Sequence, residues 1–322
     1  MGITNPPPKI TVKISCLKNL MFMLRILSMI AKNNIYGPKY RKLRVLHHIN
    51  LVNAARNVTN KSTLAEWEKG KDNLSWCKVI QLLFNIHIQP IEFLENSVRS
   101  QLYESINNIA VAYRDNNKKQ LKKILKENLE KYQEKSQNQN KDILFQVAIA
   151  SNFYEDLSGD RVCPLVVKNK VILYFSDVVS NENFWCYEDI FYFNLITQIL
   201  DARHLYGFSL KLLEYVRNNR INSKIWYELV LNTLLNAEFS LIKKDLNKAE
   251  SLLNDLNTLE VIDCYAQESI RKKFMESLIL YLKNDSNTEV YSLFRCLDFL
   301  DLTNMKLDFE TAFLQIKEIY KK

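Results

Sequence analysis

Glycine and proline are scarce in this chain, with 5 Gly and 6 Pro among 322 residues. So few turn-forming residues exclude a many-stranded β architecture and a glycine-rich nucleotide-binding sheet. The six cysteines, at 16, 77, 163, 186, 264 and 296, form no C-x-x-C pair and keep no regular spacing. Neither a zinc site nor a disulfide framework is expected from them, and they read as reduced thiols in a cytoplasmic protein. The motifs GxxxxGK, GxSxG and HExxH are absent, and His47, His48, His87 and His204 have no partners at metal-ligand spacing. The sequence therefore nominates no catalytic residue, no metal ligand and no cofactor, and it argues against an enzyme. No acidic residue occurs before Glu66.

What remains is 47% hydrophobic and 25% charged, enough to bury sizeable cores, and it is patterned as helices throughout. The expected fold class is all-α. The net charge of +8 is unevenly placed: residues 1–98 hold 14 Lys/Arg against 5 Asp/Glu, and the rest of the chain is nearly balanced. A basic module on a neutral body is the electrostatic footprint of phosphate neutralisation, with an anionic membrane surface as the other candidate. The apolar run at 17–31 is split by Arg25 into pieces too short to span a bilayer, and no cleavage site follows it, so neither an anchor nor a signal is read there. Residues 1–34 read as an unstructured leader. Met21, Met23 and Met29 place the expected natural start downstream of residue 1.

Residues 35–98 read as a domain of five short helices, at 40–48, 51–56, 60–69, after Ser75 and from Pro90. Asn50 and Ser75 are expected N-caps, Asn57 sits where a tight turn requires positive φ, and Gly70 closes the third helix. Leu64 and Trp67 face inward at i, i+3, and Trp67 and Trp76 are expected core anchors. Two short helices joined by a tight turn, the second beginning Asn60-Lys61-Ser62-Thr63, meet the needs of a helix-turn-helix: a polar leading end for the major groove and an apolar rear face to seat it. Asn60, Lys61, Ser62 and Thr63 are the candidates for base edges, since Asn reads adenine and Lys guanine. Arg41, Lys42, Arg44, Asn53, Arg56, Lys69 and Lys71 are the candidates for backbone contacts.

The stretch NKSTLAEWEKGKDNLSWCKVIQLLFNIHIQPIEFL, with Leu64-x-x-Trp67-Glu68-x-Gly70, Asp72-Asn73-Leu74-Ser75 and Ile91-Glu92-Phe93-Leu94, resembles the XRE/Cro-type domain of the Rgg/GadR/MutR family of Firmicute transcriptional regulators, a lambda-repressor-like helix-turn-helix. GPKYRKLR at 37–44 matches the family's first-helix pattern. The second helix departs from it: Asn50-Leu51-Val52-Asn53 stands where the family often has Ser/Thr followed by Gln or Lys. Either Asn50 or Asn53 replaces that contact, or affinity leans on the first helix and Arg56.

Residues 99–322 read as successive amphipathic helices with breaks at 115–117, 136–141, 158–163, 181–183, 218–222, 244–247, 260–263 and 284–287. These pair into about five hairpins. Helix starts near Asn183, Ser223 and Asp263 recur every 40 residues, the layout of an α-solenoid of TPR-like hairpins, which the resemblance makes the regulatory and dimerisation domain. The charged segment 118–132 keeps an apolar stripe and reads as a solvated helix, and the hinge between domains is placed near 96–99. Trp185, Tyr187-Glu188, Asn194, Asn236 and Ala249 continue the resemblance, which covers about 280 residues. The resemblance implies a homodimer that binds a double-stranded DNA operator and receives a short signalling peptide, as in quorum sensing, on the concave face of the solenoid, with RNA polymerase as a further partner. An extended peptide has unpaired amides that Asn side chains suit. Asn194, Asn232 and Asn236 are the candidates, with Tyr192, Arg203 and Tyr227 beside them. The competing readings are a helical-repeat interaction scaffold with a basic head and a ligand-independent repressor.

Overall fold

The computed structural model describes residues 36–94, 101–134, 141–181, 183–219, 223–259 and 263–321. The leader at 1–34, the hinge at 96–99 and most of the break at 136–141 lie outside these. The described residues form sixteen α-helices, one short 3-10 turn and no strand. The chain divides within the sixth helix, at Glu104, into two compact units.

The smaller unit holds α1 (Tyr36–Leu46), α2 (Leu51–Ala55), α3 (Lys61–Glu68), α4 (Trp76–Asn85) and α5 (Pro90–Leu94). Helix α1 begins four residues before its expected start because Pro38, with its fixed φ and missing N–H, is suited to a first turn. Asn50 caps α2 by accepting the Asn53 N–H at 2.8 Å, and Asn60 caps α3 by accepting that of Thr63 at 2.7 Å. Asn57 turns the chain between them at φ 61°, and Gly70 ends α3 at φ 79°. The end of α2 is closed from a distance: the Asn85 side-chain amide donates to the carbonyls of Ala54 and Arg56, each at 2.9 Å. Tyr40, Leu64, Trp67, Leu82, Leu83 and Phe93 fill the core, and the Tyr40 hydroxyl donates to the Leu82 carbonyl. At Gly37 an added Cβ would stand 1.7 Å from the Trp67 carbonyl oxygen, so α1 crosses α3 backbone to backbone and only glycine fits. One expectation fails here: Trp76 is 53% exposed, so it is no core anchor. Ser75 stands at the expected N-cap position of α4, without a side-chain cap bond.

The larger unit contains α6 (Gln101–Arg114), α7 (Lys118–Glu134), α8 (Lys141–Ser158), α9 (Leu165–Ser180), α10 (Tyr187–Leu195), α11 (Ala202–Asn218), α12 (Lys224–Ile242), α13 (Leu246–Leu256), α14 (Ala266–Asn284), α15 (Thr288–Phe299) and α16 (Thr303–Tyr320). Helix α10 packs on α8 and α12, α14 on α12 and α16, while α9, α11 and α13 pack in sequence on the other side. This is the two-row stacking of TPR-like hairpins. The inner row is buried nearly all round, as α12 illustrates with thirteen buried residues, whereas α11 and α13 keep one wet face. Two breaks went unread. The chain leaves helix at 196–201 inside the apolar run FNLITQIL, where Lys244 donates to the carbonyls of Thr197, Gln198 and Leu200 at 2.8–3.0 Å and Asn152 accepts the Gln198 N–H at 2.7 Å. The other, at 300–302, includes Asp301 at φ 55°.

Candidate nucleic-acid interface and ligand cleft

Helix α3 seats Leu64 and Trp67 in the core and turns Lys61 and Ser62 to solvent, with Thr63 half-buried behind them. Asn60 is exposed, but its side-chain oxygen accepts both the Thr63 N–H and the Ser62 hydroxyl, which holds it as the cap and leaves its amide nitrogen as the group facing outward. Arg41, Lys42, Asn53, Arg56, Lys69 and Lys71 are all exposed. Asn50 is engaged in capping, and Val52 is exposed at the position where the family pattern has a polar residue. Sequence reasoning passed over Glu66, which shares the outward face with Ser62 and Lys69. The hydrogen bond from Lys69, at 2.7 Å, holds its carboxyl below the usual range, so the face carries a fixed negative charge among cations.

Arg44 is not a backbone contact. It is 8% exposed, donates from Nε and Nη2 to the two Glu68 carboxylate oxygens at 2.6 and 2.7 Å, and from Nη1 to the Ile49 carbonyl at 2.7 Å. A bidentate pair of this kind ties α1 to α3 and holds the guanidinium inside the fold, away from a phosphate at the surface.

In the larger unit, Asn194, Asn232 and Asn236 are tied into one buried chain. The Asn236 amide donates to the Asn194 carbonyl oxygen at 2.7 Å, and Arg271 donates to the side-chain oxygens of Asn236, at 2.8 Å, and Asn232. Asn232 in turn donates to the Glu268 carboxylate at 2.9 Å. Tyr192 is buried, stacked on Phe145 at 3.9 Å between centroids, with its hydroxyl donating to Glu188. These four side chains are therefore engaged within the fold. Arg203 is exposed, and Tyr227 is half-buried against Tyr265.

The concavity lies one step along the same row. A narrow cleft is lined by Tyr113, Asp156, Asn236, Phe239, Arg271 and Met275, among others. Its floor holds an ion pair, Lys243 to Asp156 at 3.2 Å with both side chains 8% exposed, and the Tyr113 hydroxyl donates to the same carboxylate at 2.5 Å. Burial, with Asp156 beside it, holds the Tyr113 phenol well above its ordinary range. Of the sequence candidates only Asn236 reaches the cleft. Arg271 had a visible signal, a cation in the apolar register of Phe274, Met275 and Leu278, whereas Asp156 and Lys243 lie 87 residues apart and leave no local trace.

Glu238 is 0% exposed, and neither carboxylate oxygen has a hydrogen-bond partner among the described residues. Burial holds its carboxyl well above the usual range. A raised carboxyl pKa contributes stability at low pH that is lost as pH rises from the unfolded value, about 4.3, towards the folded one. Glu238→Met is expected to gain roughly 1–3 kcal/mol at neutral pH, the usual cost of an unmet buried polar group. Thermal unfolding of both proteins from pH 4 to 8 should show the gain growing with pH; a constant offset would contradict this account.

The class the fold defines is a helix-turn-helix head followed by a TPR-like array. Solved structures share it. The Streptococcus dysgalactiae SHP pheromone receptor Rgg2 matches 87% of this chain and 99% of its own at 14% identity, with a TM-score of 0.66. The PrgX/cCF10 complex matches 88% of this chain and 92% of its own at 11% identity and a TM-score of 0.63. A bacterial peptide pheromone/receptor complex matches 88% and 98% at 12% identity and 0.61. No protein-family profile and no curated protein matches the sequence. At these identities the likeness establishes a common fold.

Proposed function

We propose that this chain is a sequence-specific, DNA-binding transcriptional regulator whose helical array receives a short signalling peptide. The observation that carries the reading is α3: Lys61 and Ser62 exposed on a helix held by Leu64 and Trp67, with Arg41, Lys42, Arg56 and Lys69 exposed in the same unit. The shared fold supports the peptide-sensing half, since Rgg2 is described as a pheromone receptor and another of the matched structures as a bacterial peptide pheromone/receptor complex. The seat we assign is the cleft around Arg271, Asp156 and Asn236, which leaves out Asn194, Asn232, Tyr192, Arg203 and Tyr227. Among the described residues no helix is long and apolar enough to cross a membrane, and no His/Cys/Asp/Glu group could hold a metal ion.

A cytoplasmic homodimer on a double-stranded operator belongs to the same proposal, with RNA polymerase as a further partner. Apolar side chains at the end of the array, Phe299 at 87% exposure with Leu300, Leu307 and Leu314, favour a second copy there. The domain assignment, head at 35–98 and regulatory array at 99–322, goes with it. The test is selection of genomic fragments by the purified full chain, with and without short synthetic peptides. In the recovered site, Lys61→Ala is expected to weaken binding by roughly 1–3 kcal/mol and relax one base position, while Arg56→Ala weakens all sites alike and lowers the salt slope by about 1. Equal loss on specific and random duplex for Lys61→Ala would remove it from the base-reading set.

A further inference from the structure

The array carries 30 Lys/Arg against 31 Asp/Glu from residue 99 onward, yet its first long helix breaks that balance. In α7, Lys118, Lys119, Lys122, Lys123 and Lys126 are all exposed, and no acidic residue precedes Glu127. At about 100° and 1.5 Å per residue the five fall within an arc of about 140° and a length of about 12 Å. Leu121, Ile124, Leu125 and Asn128 occupy the opposite, buried side. The C-terminal half of the helix pairs charges in the manner of a solvated face, Lys123 with Glu127 and Lys126 with Glu130, each at 3.8 Å. The N-terminal half does not: among the described residues no ion pair engages Lys118, Lys119 or Lys122. Those three cations also stand at the positive end of the helix dipole, where they oppose the helix. The start is fixed instead by Asn117, whose side chain accepts the Gln120 N–H at 3.0 Å.

We propose that this lysine face is a second polyanion-binding surface of the protein, lying on the phosphate backbone of duplex DNA in addition to the contacts of the helix-turn-helix. The inference rests on the DNA-binding reading given above. Duplex DNA presents a charge about every 1.7 Å of axis, so a 12 Å strip of ammonium groups meets several phosphates without reading sequence. A lipid surface suits the strip less well. Helices that lie in a membrane interface set bulky apolar side chains beside their lysines, and none of the exposed large hydrophobics lies on α7.

The experiment measures binding of the full chain to a mixed-sequence 40-bp duplex between 50 and 200 mM salt. Lys118→Gln/Lys119→Gln/Lys122→Gln is expected to lower the log–log salt slope by about 2 to 3, at about 0.9 per lost phosphate contact. A control triple, Arg161→Gln/Arg295→Gln/Lys321→Gln, removes the same charge from exposed positions elsewhere and should leave the slope as it was. An unchanged slope in the α7 variant, or an equal fall in the control, overturns the proposal. Arg56→Gln separates the two failures: if it lowers the slope and the α7 variant does not, only the second surface is refuted, and if neither does, the DNA reading falls with it. Phosphatidylserine/phosphatidylcholine vesicles that bind the native chain and release the α7 variant, with the DNA slope unaltered, would assign the strip to lipid and also overturn the proposal.

Discussion

Arg44→Met is expected to destabilise the smaller unit by about 3–5 kcal/mol, because it leaves the Glu68 carboxylate buried with its bidentate partner gone. Stabilities run at about 0.05–0.15 kcal/mol per residue, so a loss of that size is sufficient to unfold a unit of this length. The companion substitution decides the mechanism. Arg44→Met/Glu68→Leu removes both charges and should recover most of the stability, since a well-packed apolar pair commonly equals or exceeds a buried ion pair. The recovered double variant should bind random duplex with an unaltered salt slope. A slope reduced by about 1 would return Arg44 to the phosphate contacts and refute its assignment as an internal tie between α1 and α3. Urea unfolding, followed by Trp67 fluorescence, and titration of labelled duplex supply the two readings.

The second large effect is at the floor of the cleft. Asp156→Leu strands the Lys243 ammonium at 8% exposure and removes the acceptor of the Tyr113 hydroxyl, and it is expected to cost the larger unit about 3–5 kcal/mol. Lys243→Met in the same chain should restore most of this, as the neighbouring Phe239 ring, 4.4 Å from the ammonium, offers apolar contact to the replacement. Tyr113→Phe isolates the phenol bond, expected to be worth about 1.5–3 kcal/mol as a hydrogen bond to a charged group. A double-mutant cycle across Asp156 and Lys243 that returned no coupling would show the pair to be incidental and the cleft floor to be held by packing alone.

Local chemistry accounts for what could be read from the sequence. Caps and turns are decided within three or four residues, so Asn50, Asn57 and Gly70 announce the helix-turn-helix, and the 3.6-residue period announces the hairpins that follow. The same locality explains the misses. Arg44 looks like any other cation of a basic helix until Glu68, 24 residues on, is folded against it. The break at 196–201 hides in an apolar run because its freed carbonyls are satisfied by Lys244, more than 40 residues away. The asparagines of the array were read as peptide contacts on the strength of their chemistry, and that chemistry is used, but by Arg271 and by one another. What decides whether a polar side chain faces a ligand or a neighbour is non-local packing, which periodicity does not encode.

The chain of bonds from Asn194 through Asn236, Arg271 and Asn232 to Glu268 also bears on how the array comes apart. Repeat arrays ordinarily behave as beads coupled only to their neighbours, and they fray from an end one hairpin at a time. Here one guanidinium on α14 binds two asparagines of α12, one of which donates on to Asn194 of α10, so α14 cannot peel away without leaving two buried asparagine oxygens unmet, and α10 cannot leave without exposing the third member of the same chain. The middle of the array is thereby converted from a series of separable steps into one cooperative block, whose amides should exchange with solvent at a common rate.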